Sequence, residues 1–159
     1  MEGNGMTSAE PDTARSDLYT VRKRSIARLF EVMITEGRLD VADEIFAPGF
    51  SWPQFDLHGP EGVRTWVRAF RTTFPDVLDT VEEQVAEGDI VVTRVRVIGT
   101  QSGPFRGLPP SGRKADFTAI GIDRFDGDLV VERSAWFDMA ELMRQLGHHT
   151  LHLPSTATP

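Results

Sequence analysis

Three stretches of the chain repeat apolar residues at helical period. In residues 17–36, Ile26, Leu29, Phe30 and Met33 stand at i, i+3, i+4 and i+7, which gathers them on one face. Gly37 is placed to end that helix, and residues 39–46 predict a short second one before Pro48. Residues 60–74 repeat the spacing with Val63, Trp66, Val67 and Phe70, behind Pro60 at the first helical position. Residues 138–147 do so again with Met139, Leu142, Met143 and Leu146, between Asp138 as N-cap and Gly147 as stop. Between the last two helices the pattern turns β-branched and aromatic over residues 77–86, 90–100, 114–125 and 129–137. Glu87-Gly88-Asp89, a long Gly/Pro-rich connection and Asp126-Gly127-Asp128 separate these strands. Helices first, an antiparallel meander next and a closing helix last predict an α+β fold, a curved sheet and helices enclosing a cone-shaped cavity.

Composition narrows the class. The chain has 159 residues, one domain's worth, with 40% hydrophobic and 26% charged positions. Residues 17–147 form the expected domain, between a disordered leader at 1–16 and a flexible tail at 148–159. The absence of cysteine removes disulfides, thiolate nucleophiles and cysteine-bound metals. An excess of 24 acidic over 17 basic residues argues against a nucleic-acid partner. No apolar run approaches the roughly 20 residues of a membrane span, and the first 17 lack a signal peptide's cationic and apolar regions, so a cytoplasmic protein is expected.

The runs Phe74-Pro75-Asp76, Glu87-Gly88-Asp89 and Gly99-Thr100-Gln101-Ser102-Gly103-Pro104-Phe105-Arg106-Gly107-Leu108-Pro109-Pro110-Ser111-Gly112-Arg113 carry a more specific signal. With His58-Gly59-Pro60-Glu61-Gly62 and the closing Arg144-Gln145-Leu146-Gly147, the chain resembles the SnoaL-like polyketide cyclases of the NTF2-like superfamily over residues 17–147. The resemblance implies an α+β cone, a hydrophobic pocket for a polyketide-like small molecule, a homodimer, and no metal or organic cofactor. Relatives in that superfamily include aldol cyclases, ether- and pyran-ring formers, epoxide hydrolases and hydroxylation partners, so fold alone does not choose the reaction. The expected function is a cofactor-independent cyclase of secondary metabolism, such as antibiotic biosynthesis, in the lyase or isomerase class. The alternatives are a hydroxylation partner in an aromatic polyketide pathway and a non-catalytic binder of a hydrophobic molecule.

The family pattern also breaks. The resemblance implies an acid–base aspartate on the last strand, three residues before the capping Asp138, and that position is Ala135. An assisting histidine on the preceding strand falls at Gly121. A methyl group moves no proton, so much of the rate enhancement is expected from folding the substrate into a reactive shape. If Ala135 faces the cavity, alternation brings Arg133 and Phe137 with it; Gly121 likewise brings Ala119 and Asp123.

Asp123 is therefore a candidate acid or base, or else the partner of Arg124 or Arg133. Arg94 is a candidate enolate or carboxylate anchor, or with Arg96 a surface partner of Glu82 and Glu83. Trp52, Gln54, Asp56 and His58 alternate across the segment before the third helix, and Trp52 and Gln54 are candidate pocket-wall residues, Trp52 by stacking. His58 is a candidate proton carrier, or a turn histidine at the Gly59-Pro60 bend. The predicted catalytic set is Asp123, His58 and Arg94, and the predicted binding set is Trp52, Gln54, Arg133, Ala135, Gly121 and Phe137. The cluster His148, His149 and His152 is expected to hold no metal, because the tail offers no rigid frame. The glycine-rich run 103–112 lacks a phosphate-loop lysine and fits a β connection or pocket lip instead.

Overall fold

The computed structural model describes residues 10–148. Helix α1, Glu10–Arg28, runs without interruption into a π-helical turn, Leu29–Thr35. The helix thus begins seven residues before position 17, while residues 1–9 and 149–159 of the expected leader and tail lie outside the described residues. After a 3-10 turn at Leu39–Val41 come α2, Ala42–Ile45, and strand β1, Phe46–Trp52. A second 3-10 turn, Pro53–Phe55, leads to β2, Leu57–His58, and then α3, Gly59–Thr73. The meander follows as β3, Leu78–Glu87, β4, Ile90–Thr100, β5, Lys114–Asp126, and β6, Leu129–Phe137. Helix α4, Met139–Gln145, closes the domain, with the Asp138 carboxylate accepting the Glu141 N–H at 2.9 Å.

The expected meander is present but belongs to a larger sheet. Six strands pair in the order β2-β1-β6-β5-β4-β3, and the β1–β6 pairing is parallel. Pro48 and Gly49 hide β1 from a period-2 reading, and its register with β6 shifts between Phe46 and Ser51. Further shifts at Val81/Glu83 in β3 and Arg124/Phe125 beside β6 bend the sheet. The π-turn lies against β3, α3 against β1 and α4 against β5, which closes the cone over the concave face. Ile26, Met33, Ile45, Val67 and Val91 are fully buried between these layers.

The signature motifs form one junction. Gly99 packs against Phe74, and a Cβ on it would stand 3.1 Å from the ring's own Cβ. Asp76 accepts the backbone N–H and the hydroxyl of Thr100, at 2.6 and 2.8 Å. The fully buried Gln101 side chain donates to the carbonyls of Gly103 and Pro109 and accepts the Ser111 hydroxyl. It satisfies, inside the loop, the backbone groups that a buried connection would otherwise leave unpaired. Ser102 and Gly103 then donate to the Thr73 carbonyl at the end of α3. Arg22 performs a similar service for the hairpins, reaching the carbonyls of Gly88 and Gly127 at 2.8 Å. Both of those glycines have positive φ, 59° and 58°, as these tight turns require.

Gly103 is the least replaceable position of the junction, since a Cβ there would lie 2.2 Å from the Thr72 carbonyl oxygen. Gly103→Ala is expected to lower the urea-unfolding free energy by about 2–3 kcal/mol. Gly49→Ala, where a Cβ meets nothing within 4 Å, is expected to stay within about 0.5 kcal/mol of the parent.

Candidate functional site

One cavity occupies the inside of the cone. It is walled almost entirely by apolar side chains, as small-molecule sites commonly are. The π-turn contributes Leu29, Phe30 and Ile34, and β1 contributes Phe46 and Trp52. Helix α3 adds Val63, Trp66 and Phe70, with Val95 and Val97 coming from β4 and Phe105 from the signature loop. Phe117, Ala119, Ala135 and Phe137 come from β5 and β6. Three rings form a chain, with Trp52 and Trp66 5.1 Å apart and Trp66 stacked on Phe70 at 5.0 Å, and Phe117 and Phe137 make a separate pair at 5.3 Å.

Two charged side chains, Asp79 and Arg133, share this otherwise apolar wall. Arg133 rises from β6 between two rings, with its guanidinium carbon 5.2 Å from the centroids of both Phe30 and Trp52. Its Nη1 donates to both carboxylate oxygens of Asp123 on β5, at 2.7 and 2.8 Å, and the pair is almost entirely buried. Its Nη2 lies over Gly121, where any Cβ would be only 2.7 Å away. Nε of Arg133 is buried without a hydrogen-bond partner.

Asp79 faces it from β3. Its backbone N–H donates to the Thr35 hydroxyl of the π-turn, but its Oδ1 is buried and unpartnered. Burial pushes its carboxyl from 3.8 up to about 7, against the pull of Arg133. Asp123 is also pushed up by burial, with the Arg133 pairing opposing.

A model of the SnoaL-like polyketide cyclase family matches residues 24–146. The chain belongs to that family. TsrD from Streptomyces laurentii is 28% identical and superposes with a TM-score of 0.76, over 81% of this chain and 96% of its own. A protein from Jannaschia sp. CCS1, named as a SnoaL-like polyketide cyclase, is 26% identical with a TM-score of 0.74, over 91% and 97%. A pathogen-related protein of Hordeum vulgare is 29% identical over 92 residues, which are 54% of this chain and only 38% of that protein's length.

In this SnoaL-like chain the predicted binding residues fall in three places. Trp52, Arg133, Ala135 and Phe137 line the cavity. Gly121 is the platform under the Arg133 guanidinium. Gln54 lies outside; its amide brackets the Ala135 backbone, accepting N–H at 2.7 Å and donating to C=O at 3.1 Å, and also accepts the Trp52 indole N–H.

The predicted catalytic residues are dispersed. Asp123 is buried behind the wall with both oxygens on Arg133, and Arg124 pairs with Asp89 instead. Arg94 is on the outer face of β4, half-exposed, 3.4 Å from Glu82 and 3.6 Å from Glu83. Its placement in the pocket is corrected by the β3–β4 register, which sets it opposite Glu83. His58 is also outside, 70% exposed with Nε2 3.3 Å from Asp56 Oδ1, and as the N-cap residue of α3 it makes no side-chain capping hydrogen bond. The turn at Pro53–Phe55 and the left-handed Asp56, φ 53°, break the alternation that would have carried it inward.

Asp79 was absent from the sequence reading, although it alternates with Val77 and Val81, an acidic residue on an apolar face. His149 and His152 lie outside the described residues. Among the described residues no group of three or more His, Cys, Asp or Glu side chains could hold a metal ion, and no helix is long and apolar enough to cross a membrane.

A carboxyl whose pKa is raised on folding contributes full stability while it is protonated in both states, and loses that contribution as pH climbs to the folded value. Wild-type protein is therefore expected to lose stability relative to Asp79→Asn between about pH 4 and pH 7. The gap reaches up to about 4 kcal/mol in favour of the asparagine variant at pH 8 and vanishes near pH 3. Tm measured across that range for both proteins checks it.

Proposed function

We propose that the protein is a cyclase or isomerase that takes a hydrophobic, polyketide-like intermediate of secondary metabolism into the cone and closes or rearranges a ring there. The reaction uses no added cofactor, and much of its acceleration comes from holding a flexible chain in a reactive fold. The observation that carries this reading is the wall itself: an aromatic-lined cavity, with two charged side chains on it, in a member of the SnoaL-like polyketide cyclase family. Apolar walls exclude water and reward compaction of a carbon chain, while stacked rings favour the planar product. The proposal includes a homodimer formed through the outer sheet face, where Trp136 stands half-exposed opposite Ile120.

The cavity must accept an aromatic polyketide-type molecule, and a tricyclic anthraquinone serves as the probe. Quenching of Trp52 and Trp66 fluorescence is expected to report saturable binding. Ala135→Phe, which places a ring inside the cavity, is expected to weaken that binding at least about tenfold. With a synthetic linear 1,3-polyketone, wild-type protein is expected to change the ring-closed product distribution seen by chiral chromatography, and Ala135→Phe to return it to the uncatalysed one. Absence of saturable binding by the wild type would sink the proposal.

A further inference from the structure

The acid–base carboxylate that the resemblance implies is missing at Ala135, yet the cavity holds another carboxylate, Asp79, on the edge strand β3. We propose that Asp79 is the proton-transferring residue of this protein, that Arg133 holds the oxygen of the enolate it generates, and that the substrate is an enolisable ketone chain. This rests on the proposed function above and specifies the chemistry of the same cavity.

Geometry supports each role. Asp79 lines the cavity, is 5% exposed, and has a buried oxygen with no protein partner. An unsatisfied buried polar atom is costly, and such atoms persist where a ligand is to meet them. Val97 of β4 is its directly paired neighbour, and the cavity it shares with Ile34 and Val95 is apolar apart from Arg133, so a bound ketone would reach it through apolar space. Of the charged groups around it, Arg133 is the one that acts on its carboxyl. Burial holds that carboxyl near neutrality, where one group can both take and return a proton.

Arg133 is suited to the complementary task. Asp123 occupies Nη1 alone, which leaves Nε as a buried donor without an acceptor. Phe30 and Trp52 hold the planar guanidinium in place, so it is organised before charge develops on a substrate oxygen. Asp123 and Gly121 are positioning residues: the first anchors the guanidinium, the second leaves room for it.

The step balances without a co-reactant. The Asp79 carboxylate removes a proton from the carbon beside a ketone, and the C–H electron pair becomes the enolate whose oxygen is held by Arg133. The enolate carbon bonds to a second carbonyl carbon of the same chain, while that carbonyl's π pair moves to its oxygen. The protonated Asp79 returns its proton to this alkoxide, so the product is an isomer of the substrate.

Hydrogen–deuterium exchange at the α-carbon of 2-tetralone, followed by NMR in deuterated buffer, reads the first half of this step without knowledge of the natural substrate. Wild-type protein is expected to accelerate exchange over buffer, and Asp79→Asn to lose about a hundredfold or more of that acceleration. Binding of 2-tetralone, read by tryptophan quenching, should change less than threefold. Should the asparagine variant not fold, Asp79→Leu, which suits the company of Ile34, Val95 and Val97, repeats the comparison. Exchange as fast in the variants as in the wild type overturns the proposal. Wild-type protein that binds the anthraquinone and 2-tetralone yet exchanges no faster than buffer also overturns it, and leaves ring closure by substrate folding standing. Failure to bind either molecule removes the proposed function and this inference together.

Discussion

A guanidinium inside an aromatic cone is the constraint around which the rest of this structure is arranged. An unpaired charge there would cost several kcal/mol of lost hydration, and arginine cannot escape by losing its proton. Asp123 supplies the counter-charge from the adjacent strand, at the directly paired position across the β5–β6 ladder. Two rings complete the enclosure, Phe30 from the π-turn and Trp52 from the end of β1. Four separate elements therefore meet on one side chain: the π-turn, β1, β5 and β6. The π-turn is wider than an α-helical one. It delivers Phe30 to Arg133, Ile34 to the cavity and the Thr35 hydroxyl to β3.

That arrangement decides the state of the other carboxylate. Both oxygens of Asp123 are used on Arg133, and Asp79 has no cation of its own within ion-pair distance. The buried pair is close to neutral as a unit, so its field offsets only part of the desolvation of Asp79, and burial dominates. Two aspartates facing one cone are thereby separated into different roles. One is a fixed counter-ion, and the other is a carboxyl whose charge changes near neutral pH. The instability of a buried, unpartnered acid is the structural cost of keeping such a group available.

Much of this was legible in the chain, and the failures have physical causes. Helical period located α3 and α4 because each buries a single stripe, and alternation counted from Ala135 brought Arg133 and Phe137 to the cavity. Alternation failed where no strand continues: the turn after Trp52 resets the parity before His58. It was indeterminate for Arg94, because both faces of β4 carry valine or isoleucine, and only pairing with β3 shows which face is outside. Strand β1 stayed hidden behind Pro48 and Gly49, residues that ordinarily mark a turn. Asp79 fell inside the strand expected at 77–86, in alternation with valines, but an acidic residue there reads as solvent-facing until pairing with β4 puts its face on the cavity.

The two small residues beside Arg133 are linked to it by sterics. Gly121 and Ala135 stand directly opposite each other on β5 and β6, and together they make a low floor across the sheet. Arg133 lies over that floor with Nη2 where any side chain on residue 121 would begin, so a histidine at 121 and this path of the guanidinium exclude each other. Once the cation occupies that space, Asp123 beneath it is committed as its counter-ion. The remaining carboxylate of the cavity belongs to Asp79 on β3, whose backbone N–H donates to the Thr35 hydroxyl of the π-turn. The lack of a side chain at 121 thus leaves this path to the Arg133 guanidinium, and Ala135 opposite it lines the same cavity as Asp79.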